Sequence, residues 1–180
     1  MKLRASVTFF HAIFAVILLG LITIPAAQAD QALIVAVDQY PGLTDAGLDN
    51  AAVNSAPLIK QALIARNFPN KNIIVLLNAD ATQAKVLGAL DHVARTISQG
   101  ERFVFYFLGH GGNTLDVPVL LPYDATMASG SPDITKPALS KRLNAVAEKG
   151  GQVTVLLDSC FAAGLIQSST SKEAEMSQRG

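Results

Sequence analysis

The sequence predicts an α/β fold of three layers, in which a mostly parallel sheet is flanked by helices on both faces. Four short apolar runs have the length and composition of strands buried on both faces, and they are residues 32–37, 72–77, 103–108 and 153–157. Helical patterns separate these runs, in the order strand, helix, strand, helix, strand, long loop, helix, strand. This alternation is typical of parallel sheets whose crossover connections cover both faces.

The first helix is expected to begin late because it contains a proline. After the first strand, residues 40–47 form a loop that contains a Pro-Gly pair. Pro57 in a helix interior would lose a hydrogen bond and clash with the preceding turn, so it should lie in the first turn. Ser55 is then the expected N-cap, with the helix ending near Arg66. The residues expected to face the sheet are Leu58, Ala62, Leu63 and Ala65.

The second helix, over residues 82–99, has apolar side chains on one face. These follow at spacings of four, three and four residues, and they are Val86, Leu90, Val93 and Ile97. Residues 113–136 are predicted to be irregular, with a short strand at 119–124. A third helix is expected over residues 137–149, ahead of the fourth strand.

Residues 1–29 have the pattern of a signal peptide. Lys2 and Arg4 precede an apolar stretch over residues 7–24, and Ala27-Gln28-Ala29 is a small-residue cleavage site. We expect cleavage after Ala29 and export, to the periplasm or the medium. The alternative is an uncleaved membrane anchor, because the apolar stretch is nearly long enough to span a bilayer.

The remaining 151 residues suffice for one domain, expected at residues 30–166 and followed by a mobile polar tail at 167–180. Without the signal segment the chain carries two more acids than bases and has no basic run, which argues against nucleic acid as a partner. Cys160 is the single cysteine of the chain. It is either a reactive thiol, as a lone cysteine in an exported protein suggests, or a small buried apolar residue.

Two of the predicted strands are followed by a reactive side chain. His110 follows the third strand, and Cys160 follows the fourth. Sites in parallel sheets form outside the carboxyl ends of the strands, so the two side chains meet if these strands are neighbours. An adjacent imidazole can then activate the thiol. The backbone N–H groups of Gly111 and Cys160 are candidate donors to an oxyanion. His92 is expected on a helix surface.

Several stretches together resemble the caspase-like cysteine peptidases, and within them the metacaspase-type proteins of bacteria. These stretches are residues 32–37, 40–42, 52–54, 105–111, 121–124 and 156–164. The histidine precedes the cysteine by 50 residues, an interval that caspases also have. The resemblance implies a peptide or protein substrate, with Cys160 as nucleophile and His110 as general base. It also implies that Asp158 lines the first specificity pocket and favours cleavage after Arg or Lys.

The sequence departs from this family at several positions. Ser55 stands where the family commonly has a second acid of the pocket, and the glycine after the cysteine comes one place later, at Gly164. No metal or other cofactor is expected, although the loop bearing Asp38, Asp45 and Asp49 could bind Ca²⁺ as some metacaspases do. Solvated carboxylates are the more common state of such residues.

The family fold continues past the cysteine, so the resemblance covers the large-subunit portion, and the C-terminal part of the fold is expected to be missing. The chain is then an active endopeptidase, a fragment completed by a second polypeptide, or an inactive remnant that binds a partner. A further alternative is an unrelated hydrolase or ligand binder, in which His110 and Cys160 would lie apart. Lys172 and Arg179 are either self-processing sites or ordinary residues of a polar tail.

Overall fold

The computed structural model describes residues 29–160. In chain order the strands are β1 (Gln31–Ala36), β2 (Ile73–Leu77), β3 (Arg102–Leu108), β4 (Gly111–Thr114), β5 (Val117–Leu120), β6 (Ile134–Thr135) and β7 (Gln152–Asp158). The helices are α1 (Ala51–Ala65), α2 (Gln83–Thr96) and α3 (Lys136–Glu148). The main sheet has the order β2-β1-β3-β7, and all its strands are parallel.

Helices cover the two faces of this sheet, so the prediction of a three-layer α/β fold is confirmed. Side chains of β1 alternate between the faces, as expected for a strand buried on both sides. Leu33 and Val35 pack with residues of α2 and α3, including Leu90 and Val146. On the opposite face Ile34 packs in a second cluster with residues of α1. The core thus lies on both sides of β1 and β3, the two central strands.

The predicted start of α1 is wrong, because the helix begins at Ala51 and not after Ser55. The carboxylate of Asp38, at the end of β1, accepts hydrogen bonds from the N–H groups of Ala52 (2.8 Å) and Val53 (2.7 Å). These N–H groups lack partners within the helix, and a carboxylate here also complements the helix dipole. The Ser55 hydroxyl is not a cap, since it donates to the Ala51 carbonyl at 2.8 Å.

Pro57 therefore lies inside α1, and the helix buries a different face from the predicted one. The buried residues are Ala52, Ala56 and Leu63, whereas Leu58 is 64% exposed. Ala62 and Ala65 are also exposed, so only Leu63 of the predicted set faces the sheet. Apolar residues lie on nearly all sides of this helix, and their periodicity alone did not select the buried face.

Residues 113–136 are more regular than predicted, because β4, β5 and β6 form a small antiparallel sheet. The predicted short strand overlaps β5. The β4–β5 hairpin turns at Leu115 and Asp116, both with positive φ (49° and 64°), as in a type I′ turn. Since β4 begins at Gly111, the loop after β3 is held at both ends by sheet structure.

The sequence suggested that β7 is buried on both faces, and this prediction is wrong. Its residues alternate between exposed and partly buried, and Leu156 is 45% exposed. Among residues 29–160 it pairs only with β3, so it is an edge strand of the described sheet. The exposed side chains lie on the face where α1 packs, since Leu156 is the register partner of Tyr106, but they are not part of the core cluster that contains residues of α1.

The remaining helices agree with the prediction within a few residues at each end. Thr82 caps α2 by accepting from the N–H of Lys85, and the predicted apolar face is buried. None of the helices within residues 29–160 has the length and apolar character needed to cross a membrane. The predicted signal segment up to residue 28 and the predicted tail with Lys172 and Arg179 lie outside the described residues.

Candidate active site

The sheet order brings the carboxyl ends of β3 and β7 side by side. The two strands are parallel, and Leu108 is the register partner of Asp158. His110 and Cys160 each follow two residues after these partners, so both lie at the same edge of the sheet. The Gly109 N–H donates to the Asp158 carbonyl at 3.3 Å, which joins the two loops directly.

The two loops also lie close together at Gly111. A Cβ built on Gly111 would overlap the carbonyl oxygen of Cys160, and would lie 3.2 Å from the carbonyl carbon of Cys160 and 3.3 Å from Ser159 Oγ. Only a glycine allows the two main chains to lie this close together. Ser159 Oγ is buried there without a hydrogen-bond partner among the described residues.

The orientation of the His110 ring is set by the loop between β1 and α1. Nε2 lies 3.0 Å from the carbonyl oxygen of Ala46. Because a carbonyl can only accept, Nε2 carries the hydrogen of the neutral ring, and Nδ1 keeps the lone pair that can take up a proton. The hydrogen bonds within residues 29–160 do not include one between His110 and Cys160 Sγ, so the paired roles of these residues stay a prediction.

Tyr40, in the same loop, contacts His110 at two further points. Its hydroxyl accepts the His110 backbone N–H at 2.7 Å and donates to the Val37 carbonyl at 3.2 Å. The two rings have centroids 5.0 Å apart and are inclined by 41°. Burial raises the pKa of Tyr40 to about 12, with a smaller lowering by the His110 hydrogen bond and a raising by the charge of Asp38. Neither Tyr40 nor Ala46 was predicted from the sequence to be part of the site.

The predicted oxyanion donor at Gly111 has an N–H that points away from β5. Gly111 is the register partner of Leu120, and the N–H of Leu121 donates to the His110 carbonyl at 2.9 Å. This pattern makes Gly111 and Leu120 a non-hydrogen-bonded pair, in which each backbone N–H faces away from the partner strand. The N–H of Gly111 is thus outside the hairpin ladder. Its role as a donor to an oxyanion stays a prediction, as does that of the Cys160 N–H.

Cys160 and Asp158 are both exposed among the described residues. The pKa of the Tyr106 hydroxyl is raised by burial and, to a smaller extent, by the charge of Asp158. Asp158 is the register partner of Leu108, which packs with Tyr106 on the sheet face that α1 partly covers, so the carboxylate lies on that face. An exposed carboxylate two residues before the thiol remains free to meet a cationic side chain.

The other residues named from the sequence have separate locations. His92 is exposed on α2, as expected. Asp38 is 2% exposed and caps α1 with both carboxylate oxygens, whereas Asp45 and Asp49 are exposed at positive φ. Within residues 29–160 no three His, Cys, Asp or Glu side chains are grouped closely enough to hold a metal ion. The expectation of no cofactor, with Ca²⁺ binding by this loop as the alternative, stays a prediction.

Comparisons with known proteins agree with this architecture. Metacaspase-8 of Arabidopsis thaliana is 26% identical over 150 residues, which are 78% of this chain and 39% of that protein. The solved structure of protein GSU0716 from Geobacter sulfurreducens is similar with a TM-score of 0.58 and 20% identity, and the match covers 82% of this chain and 54% of that one. At this identity the likeness concerns the fold. The chain therefore spans roughly two fifths to one half of the length of these relatives.

A family model gives the broadest match. The model of the peptidase C14 family, described as the caspase domain, matches residues 29–180. The matched range includes the whole described sheet and both loops at its carboxyl edge. Since it also makes up most of the sequence, the chain belongs to the caspase-domain family.

Proposed function

We propose that this caspase domain contributes to a cysteine endopeptidase in which Cys160 is the nucleophile and His110 is the general base. The observation that carries the proposal is the contact between the loops after β3 and β7. The Gly109 N–H bonds the Asp158 carbonyl, and Gly111 lies directly against Cys160. Loops packed in this way support the proposal, because nucleophilic catalysis needs a thiol and an imidazole that start from neighbouring segments.

The reaction follows from the tautomer of His110. With Nε2–H donating to the Ala46 carbonyl, Nδ1 accepts the thiol proton of Cys160 and leaves a thiolate beside an imidazolium. The thiolate attacks the carbonyl carbon of the peptide, forming the C–S bond and a tetrahedral oxyanion. The imidazolium then gives its proton to the departing amine as the C–N bond breaks. Water, activated by the neutral imidazole, hydrolyses the resulting thioester and restores the thiol.

Backbone N–H groups stabilise the oxyanion in this scheme. The N–H of Gly111 is outside the β4–β5 ladder, and the N–H of Cys160 belongs to the nucleophile itself. Two donors fixed on packed loops can be aimed at the developing charge without reorganising, and removal of one such donor commonly costs about 100-fold or more in rate.

Asp158 binds the side chain on the acyl side of the scissile bond and favours Arg or Lys there. Its carboxylate is exposed at the carboxyl edge of β7, two residues from the nucleophile, and charge-assisted hydrogen bonds to a guanidinium or ammonium are strong. Ser55, where the family commonly has a second acid, has its hydroxyl engaged with Ala51 within α1. Selectivity for basic residues therefore depends on Asp158.

Cleavage of fluorogenic peptides that end in Arg, Lys, Asp or Gln tests this proposal. Cys160→Ala and His110→Ala should each abolish cleavage, whereas His92→Ala, on the surface of α2, should retain it. Asp158→Asn should lower cleavage after Arg and Lys by about tenfold or more relative to Gln, since a charge-assisted contact is lost. Wild-type activity in the Cys160 or His110 variant would refute the dyad, and an unchanged preference in Asp158→Asn would refute the pocket assignment.

A binding module without catalysis is the second candidate function. It is favoured by the absence, among the described hydrogen bonds, of a bond between His110 and Cys160, and by the uncovered face of β7. Alkylation of Cys160 by iodoacetamide separates the two functions. A thiol paired with His110 should react faster at pH 6–7 than free cysteine and slow down in His110→Ala. A rate equal to that of free cysteine in both proteins would favour the binding module.

Completion of the site by further polypeptide, in the same chain or a second one, is part of the proposal. The described β7 exposes alternate side chains. The chain spans about half the length of the solved relative and about two fifths of the length of Metacaspase-8. If the site is built but incomplete, Cys160 should be hyper-reactive toward iodoacetamide while peptide cleavage is absent. Full cleavage by this chain alone would contradict a need for further polypeptide.

Export is also proposed, with cleavage between Ala29 and Asp30. Asp30 is 4% exposed, and its carboxylate accepts hydrogen bonds from the backbone N–H of Arg102 (2.7 Å) and from its guanidinium Nη2 (2.6 Å). These contacts of Asp30 would remain after cleavage, whereas those of Ala29 would be lost, since its N–H donates to Glu101 Oε1 at 3.0 Å and its carbonyl accepts from Asn72 Nδ2 at 3.2 Å. N-terminal sequencing of the protein from an expressing cell should give Asp30 as the first residue, and a retained Met1 would contradict cleavage.

A further inference from the structure

We infer that Tyr40 is a positioning residue of the proposed active site, which holds both the backbone and the ring of His110. This inference extends the proposed function, in which His110 activates Cys160. Tyr40 does not touch the reacting atoms. It acts through the histidine, by one hydrogen bond to the main chain and by one ring contact.

The hydroxyl of Tyr40 both accepts and donates a hydrogen bond in this position. It accepts the N–H of His110 at 2.7 Å and donates its hydrogen to the Val37 carbonyl at 3.2 Å, so it links the end of β1 to the loop after β3. Tyr40 is 5% exposed and packs in the larger core cluster. A buried N–H without a partner is costly, so loss of this hydroxyl should loosen the histidine.

The neighbouring glycine indicates how closely the hydroxyl must approach. Gly109 has a φ of 156°, and a Cβ built on it would lie 2.6 Å from Tyr40 Oη. Any other residue at position 109 would therefore push against the hydroxyl. The glycine before the histidine thus makes room for the tyrosine.

The ring contact and the Ala46 carbonyl act together on the imidazole. The Tyr40 ring lies 5.0 Å from that of His110, and the Ala46 oxygen holds Nε2 from the same loop. One loop, from Tyr40 to Ala46, thus contacts the main chain, the ring and one ring nitrogen of His110. The free nitrogen, Nδ1, is left as the group that can face the thiol.

Tyr40→Phe removes the hydroxyl and keeps the ring, so the variant should fold. Tyr123→Phe is the matched control, because Tyr123 is a partly buried tyrosine with no role in the proposed site. Three readouts are compared in the full chain. They are hydrogen exchange of the His110 amide, the ¹⁵N shifts of the His110 ring, which report its tautomer, and the pH profile of Cys160 alkylation by iodoacetamide.

We expect the His110 amide to exchange slowly in the wild type and about tenfold faster or more in Tyr40→Phe, since its acceptor is lost. The ring should change from a single Nε2–H tautomer to a mixture, and alkylation near pH 7 should slow by about fivefold. Tyr123→Phe should match the wild type in all three. Resonances are assigned with His110→Ala.

Fast exchange of the His110 amide in the wild type would overturn the inference without any variant. Wild-type exchange and tautomer in Tyr40→Phe would also overturn it. If His110→Ala alkylates at the wild-type rate, the proposed function fails instead. The amide exchange and ring spectra then still decide whether Tyr40 positions the histidine.

Discussion

The contact between the two active-site loops can be tested by adding a single methyl group. Gly111→Ala places a Cβ in overlap with the carbonyl oxygen of Cys160 and 3.3 Å from Ser159 Oγ. Neither Gly111 nor Gly112 has a positive φ, so alanine fits the local backbone at both positions. The cost of the substitution at Gly111 therefore comes from the contact across the loops. To relieve it, the main chains of Gly111 and Cys160 must separate by about 1 Å, a displacement that can cost about 100-fold in a catalytic rate.

Gly112→Ala is the matched control, because its Cβ would meet only Val119 Cγ2, at 3.9 Å. The assay is the rate of Cys160 alkylation by iodoacetamide near pH 7, with peptide cleavage wherever the protein is active. Gly111→Ala should reduce the enhanced reactivity of the thiol by up to about 30-fold, because a free cysteine with a pKa of about 8.5 is already a few per cent thiolate at pH 7, and Gly112→Ala should change it little. Overpacking should also lower the free energy of unfolding of Gly111→Ala by about 1–3 kcal/mol.

The contact between the loops is refuted if Gly111→Ala and Gly112→Ala have the same alkylation rate and the same free energy of unfolding. Such a result would mean that the loops after β3 and β7 do not lie against each other in solution. An unfolding effect without any change in alkylation would retain the contact. It would, however, remove its importance for the thiol.

Three further predictions concern stability. Asp38→Asn should lower the free energy of unfolding, measured by urea denaturation, by about 1–2 kcal/mol, because α1 loses a buried carboxylate cap. The control Asp45→Asn, at an exposed position, should change this free energy by less than about 0.5 kcal/mol. Equal effects of the two substitutions would contradict the capping role of Asp38. Burial raises the pKa of Tyr40 to about 12, so between pH 10 and pH 12 the hydroxyl stays protonated in the folded state and loses its proton in the unfolded state. The free energy of unfolding of the wild type should therefore fall more steeply with pH than that of Tyr40→Phe in this range, by up to about 2 kcal/mol. Parallel pH profiles would disprove this. Gly88→Ala should raise the melting temperature, since a Cβ there meets nothing within 4 Å inside α2 and alanine favours a helix over glycine by about 1 kcal/mol, and a lower melting temperature would show that the site is not open.

The parallel sheet could be predicted because the apolar composition of its central strands is typical of strands covered on both faces. Residues 32–37 and 103–108 are almost wholly apolar, as strands covered on both faces must be, and they became the central pair β1 and β3. The edge position of β7 could not be predicted. Its middle residues, 153–157, are apolar except for Thr154, although every second side chain of the strand is exposed in the described structure.

The start of α1 was missed because its cap is remote in sequence. A search for local capping residues stops at Ser55, yet the N–H groups of the first turn bind Asp38, 14 residues before Ala52. The β4–β5 hairpin was missed for a local reason. Its first strand contains Gly111 and Gly112, which have low strand propensity, and its turn residues, Leu115 and Asp116, lack the glycine that marks most two-residue turns.

The histidine depends on more than the two strands from which the site was predicted. The sheet accounts for the approach of His110 to Cys160, since both lie two residues beyond a register pair of β3 and β7. The direction of the imidazole comes from a third segment, the β1–α1 loop, through Tyr40 and Ala46. That loop is in turn anchored at its far end, because the carbonyl of Asp38 accepts the N–H of Leu48 at 3.1 Å. Substitutions in this loop should therefore alter the histidine while leaving the sheet, and the position of the cysteine, unchanged.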